Sequence, residues 1–167
     1  MKYGEIKNLV YLVSDFRESY NQNKDFTTLI AWEKARNVKL FFYNKIIPKL
    51  PREEKFNFDT QIRKAAVSLT INISEGYGRY NYQEGIQFYR ISRASLYELK
   101  DHLISCYDLE YIDKVLIGRG KKLIEEAKRT LNGYITYVRN KKKAIRVGRC
   151  PVSIFPYSLN LAAGSTI

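Results

Sequence analysis

The sequence predicts an all-α chain built as an up-down antiparallel four-helix bundle, with a short N-terminal helical extension and an irregular basic C-terminal tail. Three observations predict it. Apolar residues recur three and four positions apart through most of the 167 residues, the period of a helix with one buried face. No segment shows the apolar-polar alternation of a half-buried strand. The breaks between periodic segments are short and marked by Pro, Gly, Asn or Asp, so consecutive helices must fold back on one another.

Residues 1–26 form the extension. Ile6, Leu9, Val13 and Phe16 stand at helical spacing, and the polar run 20–25 ends that segment. Residues 27–140 form the bundle. Trp32, Ala35, Val38, Phe42 and Ile46 carry the stripe of the first helix. Pro48 should stop it, since proline lacks the amide hydrogen and its ring collides with the preceding turn. Ile62, Ala66, Leu69, Ile73 and Tyr77 mark the second helix, closed by Gly76 and Gly78. Asn81 and Glu84 have the form of a capping box, opening a third helix striped by Phe88, Ile91, Ser95, Leu99, His102, Cys106 and Leu109. Asp113 is placed to cap a fourth, striped by Leu116, Ile124, Ala127, Leu131, Tyr134 and Val138. Segments of roughly 20–28 residues make rods of about 30–42 Å. Residues 141–167 form the tail, basic at first and then, from Cys150 to Ile167, uncharged.

Composition narrows the function. Lys plus Arg number 29 against 17 Asp plus Glu, a net charge of +12. The surplus is uneven: net 0 over residues 1–26, +7 over 27–140 and +5 over 141–167. A basic surface calls for a polyanion or an anionic partner. The two cysteines, Cys106 and Cys150, make neither a disulfide framework nor a zinc cluster, which fits a reducing cytoplasm. No apolar run is long enough to span a membrane. A single histidine, His102, removes most acid–base and metal chemistry, and neither a metal nor a cofactor is expected.

A second stripe runs beside the apolar one on the second helix: Gln61, Ala65, Ser68, Asn72, Glu75 and Arg79. Small and polar residues let a neighbouring helix come close, and buried amides and hydroxyls then need partners. It reads either as a polar site or as a hydrogen-bonded seam or subunit interface, the seam being the more ordinary. Glu75 and Arg79 are placed to pair across one turn. Glu75, Glu84, Glu98 and Asp101 cluster near the second and third helices, but Glu98 stands four residues before His102 rather than the three of a di-metal motif. Gly118-Arg119-Gly120-Lys121 lacks phosphate-loop spacing. His102 and Cys106 read as core residues, the histidine satisfied. The chain is therefore not expected to be an enzyme.

The cations are more telling. Arg90, Arg93, Tyr97 and Lys100 share one face of the third helix, and Arg63 and Lys64 lie off the apolar stripe of the second. They suit phosphate contacts, with Tyr97 available to stack on a base. Arg139, Lys141, Lys142 and Lys143 open a basic arm with no acidic residue nearby. On the fourth helix the charges offer one another partners instead: Lys121–Glu125, Lys122–Glu126 and Glu125–Arg129.

The runs Gln61 to Ser68 and Ile71 to Arg79 resemble the signature of a known family, the four-helix-bundle 23S rRNA intervening-sequence proteins, which include the accessory variability determinant of diversity-generating retroelements. Trp32-Glu33-Lys34-Ala35 and Ser95-Leu96-Tyr97-Glu98-Leu99 fit as well. Ala94 departs from a glycine common in that family. The resemblance implies a ring-like homopentamer without catalytic residues. It also implies, from the retroelement members, nucleic-acid binding and association with a reverse transcriptase. Together these readings lead to a non-catalytic, oligomeric, RNA-binding accessory protein. The alternative is a protein-interaction scaffold that does not itself bind nucleic acid.

Overall fold

The computed structural model describes residues 25–79 and 81–146, with side chains up to residue 143. The expected N-terminal helix and the uncharged stretch after Arg149 lie outside the described residues. Within them all regular structure is helical. The four long elements are α1 (Ile30–Phe41), α2 (Phe58–Gly78), α3 (Tyr82–Asp108) and α4 (Lys114–Arg146). α2 packs on α1 and α3, and α4 packs on α1 and α3. The four helices therefore surround one core, a packing that fits the expected bundle. α4 continues past residue 140, so the first residues of the segment read as an irregular tail are helical.

The sequence explains the helix ends. Pro48 does interrupt the first helix, but the chain changes pitch before it: a π-helical turn (Phe42–Ile46) follows α1, then a 3-10 turn (Ile47–Lys49). The wider turn brings Phe41, Phe42, Ile46 and Ile47 all into the core. Asn81 caps α3, its side-chain oxygen accepting from the Gln83 amide at 2.9 Å. Asp113 caps α4, accepting from the Leu116 amide at 2.7 Å. Each satisfies an amide that has no carbonyl partner within its helix.

The core largely follows the expected stripes on α1, α2 and α4. On α3 it does not. Ser95, Leu99 and Cys106 are buried as expected, but Ile91 and Leu109 are exposed and Phe88 and His102 only half-buried. The buried face is carried instead by Gly85, Ile86, Tyr89, Ser92, Leu96 and Leu103. α3 touches α2 on one flank and α4 on the other, so its buried arc is wider than one stripe and centred elsewhere. His102 is not the satisfied histidine expected: its Nε2 is buried without a hydrogen-bond partner. The Glu98 carboxylate stops 4.0 Å away, and the Phe58 ring packs edge-on at 5.7 Å between centroids. Cys106 is fully buried, and burial, with Glu54 nearby, pushes its thiol up to about 11.

The middle of the polar stripe of α2, Ser68 and Asn72, forms a packing seam, while Gln61, Glu75 and Arg79 are exposed. Ser68 Oγ and Ser95 Oγ hydrogen-bond at 2.8 Å. Asn72 Nδ2 donates to Ser68 O at 2.7 Å and to Ser68 Oγ at 3.0 Å. Ser92 donates to the Leu69 carbonyl at 2.7 Å. At the end of the seam Gly76 meets Gly85. A Cβ on Gly76 would lie 2.5 Å from Tyr89 Cε1 and 2.9 Å from the Gly85 carbonyl oxygen. Gly76 is thus a contact point within α2, whereas Gly78 closes the helix. The glycine pair of the fourth helix behaves similarly: a Cβ on Gly120 would sit 2.5 Å from Leu103 Cδ2 and 2.9 Å from Phe41 Cε1.

These contacts give two expectations. Gly76→Ala should destabilise the chain by about 1–3 kcal/mol through overpacking. Gly78→Ala meets open space and should be neutral or stabilising by up to about 1 kcal/mol. Urea denaturation followed by circular dichroism compares them, and equal effects would refute the close-approach account. In a Cys150→Ser background, Cys106 should resist alkylation in the folded chain and react once denaturant is added, as peptide mapping would reveal.

Candidate nucleic-acid interface

α3 and α4 run antiparallel, and four side-chain contacts join them in a single register. Gln83 Oε1 accepts from Lys142 Nζ. Arg93 Nη1 donates to Asn132 Oδ1 at 3.2 Å. Lys128 Nζ lies 5.6 Å from the centre of the Tyr97 ring. Lys100 Nζ pairs with Glu125 Oε1 at 2.8 Å. Each step forward along α3 is matched by an equal step back along α4. The contacts span α3 from Gln83 to Lys100, about 26 Å at about 1.5 Å per residue.

The basic stripe expected on α3 therefore faces a groove. Arg93 and Lys100 reach across to α4, while Arg90 stays exposed and Tyr97 is 54% exposed. Arg90 on α3 and Arg139 on α4 both fall between the Gln83–Lys142 and Arg93–Asn132 contacts, and both are exposed. Lys143 is exposed just beyond Lys142. Lys141 points elsewhere, its ammonium 5.0 Å from the centre of the Tyr137 ring. The four residues read as opening a basic arm, Arg139 and Lys141 to Lys143, thus stand on the last turns of a helix.

Arg63 and Lys64 are not brought to this groove. Arg63 Nε pairs with Asp59 at 2.5 Å and its guanidinium lies 5.1 Å from the centre of the Tyr43 ring, toward α1. Lys64 is exposed on α2. Of the signature residues, Ala35 is core and Trp32 packs partly buried against it. Ser68, Asn72, Ser95 and Gly76 make the α2–α3 seam. Gln61, Glu75, Glu98 and Arg79 are exposed. Arg79 lies 3.8 Å from Glu75, as expected, and its guanidinium sits 4.5 Å from the centre of the Phe88 ring.

Glu125 and Glu126 of α4 take hydrogen-bonded partners other than those expected, two of them on neighbouring helices. Glu125 joins Lys100 and Lys128, and Glu126 joins Lys34 of α1 at 2.8 Å. Hydrogen bonds from Lys100 and then Lys128 hold the Glu125 carboxyl down at about 2, so it is ionised wherever the protein is folded at ordinary pH. Helical spacing found Arg90, Arg93, Tyr97 and Lys100 but missed Gln83, Glu125, Lys128 and Asn132, because a stripe on one helix does not identify the residues facing it. Glu125 itself was visible, but only as a partner for Lys121 and Arg129 within α4.

What this groove offers is an ordered row of cations with an exposed aromatic ring in the middle. It suits a chain of phosphates. Among the described residues no three His, Cys, Asp or Glu side chains cluster to hold a metal ion. No helix there is long and apolar enough to cross a membrane.

A search of curated proteins finds no match. A family model does match, over residues 27–133: that of the 23S rRNA-intervening sequence protein. The match covers α1 to α3 and more than half of α4, including the seam and most of the groove, and on it the chain belongs to the 23S rRNA-intervening sequence protein family.

Proposed function

We propose that this chain is a non-catalytic nucleic-acid-binding protein, acting in the cytoplasm as a homo-oligomeric up-down four-helix bundle. In this reading it is an RNA-binding accessory of a ribonucleoprotein or of the reverse transcriptase of a diversity-generating retroelement. The observation that carries it is the α3–α4 groove. Arg90, Arg93, Lys100, Lys128, Arg139 and Lys142 line it, and Glu125 supplies the carboxylate in the contacts that join the helices. A bundle stabilised by its apolar core does not need this concentration of charge to fold, since exposed ion pairs contribute little. Five copies, the number implied by the family resemblance, would carry about +60. Many phosphate contacts at once would make binding tight at low salt and steep in its salt dependence.

Binding of RNA should therefore fall linearly in log affinity against log salt. Arg90→Glu combined with Arg139→Glu should weaken it at least tenfold and reduce the slope by about 1.4 to 1.8, because each lost phosphate contact removes about 0.7 on a single strand and about 0.9 on a duplex. Helicity by circular dichroism should not change, both side chains being exposed. Undiminished affinity would remove the groove from the reading. Absence of any binding at low salt would replace it by a scaffold for an acidic protein. Glu125→Gln should act oppositely, tightening RNA binding a few-fold by freeing Lys100 and Lys128 for phosphate; titrations at one salt concentration would compare it with the parent chain.

A further inference from the structure

We infer that the nucleic acid taken by the α3–α4 groove is single-stranded and that Tyr97 stacks on one of its bases, an inference that rests on the nucleic-acid reading above. Three features of the groove point to it.

The first is its shape. Two packed helices leave a furrow whose axes lie about 8–10 Å apart, and the joined stretch is about 26 Å long. That length takes about eight nucleotides of a strand whose bases keep a rise of about 3.4 Å, and fewer if the strand is extended. The furrow's bridging cations follow one line along the α3–α4 contact, as the phosphates of one strand do.

The second is the position of Tyr97. It lies between the Arg93–Asn132 and Lys100–Glu125 contacts, with cations on either side along the furrow. More than half of its surface is open. A base inside a duplex has both faces covered by its neighbours, so a ring placed there gains nothing from stacking. An unpaired base can turn one face onto it, whatever its identity.

The third is Lys128. Its ammonium is placed over the Tyr97 ring at 5.6 Å and also paired with Glu125. A lysine has a long flexible stem and can leave the ring without disturbing the helix. A base arriving on Tyr97 would take over that face, and Lys128 would move to the adjoining phosphate. The occupied ring is thus held in place by a group that the ligand's own phosphate can recruit.

The test compares a fluorescently labelled single-stranded uridine oligonucleotide with an RNA hairpin duplex carrying the same number of phosphates. The full chain is used, with Tyr97→Ala and Tyr97→Phe alongside it. The single strand should bind more tightly than the duplex. Tyr97→Ala should lose about five- to hundredfold for the single strand and nothing for the duplex, and Tyr97→Phe should keep the parent affinity. Because the ring is largely exposed, both variants should fold, which circular dichroism verifies. Equal binding of strand and duplex, or a Tyr97→Ala chain that binds the strand as well as the parent, would overturn the inference and leave the phosphate reading standing. Failure of the parent chain to bind either RNA would instead overturn the reading on which it rests.

Discussion

The close approach of α2 to α3 is the constraint on which the rest of the molecule depends. It is possible because the facing residues are small: Ser68 against Ser95, Ser92 against the Leu69 backbone, Gly76 against Gly85. Small residues alone would bury polar atoms at a cost, but here hydroxyls, the Asn72 amide and a backbone carbonyl satisfy one another. The seam therefore fixes both the separation of the two helices and the rotation of α3 about its own axis. A rotation of one residue would carry Ser92 and Ser95 away from their partners and replace glycine by a larger side chain at the contact.

That rotation decides what α3 presents elsewhere. With Ser92 and Ser95 turned to α2, the opposite flank carries Arg93, Tyr97 and Lys100 toward α4. Arg90 is left exposed beside them. The core between, with Leu96, Leu99 and Leu103 fully buried, holds both flanks rigidly. The cations and the seam thus occupy different faces of one helix, because its two neighbours do not share a flank. The cations lie on regular helices rather than on loops, so their spacing is set by helical rise, which suits a ligand that is itself a regular row of charges.

Charge compensation inside the groove also has a structural role. Lys100 and Lys128 converge on Glu125, and without that carboxylate the two ammoniums would repel across the furrow. Exposed pairs of this kind add little to stability. Their contribution here is geometric, holding two long side chains at Glu125, with Lys128 over the Tyr97 ring. Glu126 does the same on the other side of α4, where it meets Lys34 of α1. The fourth helix is accordingly tied to both of its neighbours by adjacent glutamates.

The four long helices of the described residues, the ends at Asn81 and Asp113 and most of the core were legible in the sequence, since they rest on local chemistry: period, capping and the loss of an amide at proline. The same holds for the identity of the α3 cations, which share a face at helical spacing. Tertiary structure alone decided which of two adjacent stripes on α3 is buried, because Ile91 and Ser92 are nearly equal candidates by period and only the approach of α2 selects the serine. It alone decided that Glu125 answers Lys100 rather than Lys121, because pairs within a helix can be read from spacing whereas pairs between helices depend on register. For the same reason helical spacing alone reveals a basic face on α3, and the packing of α4 against it turns that face into a groove.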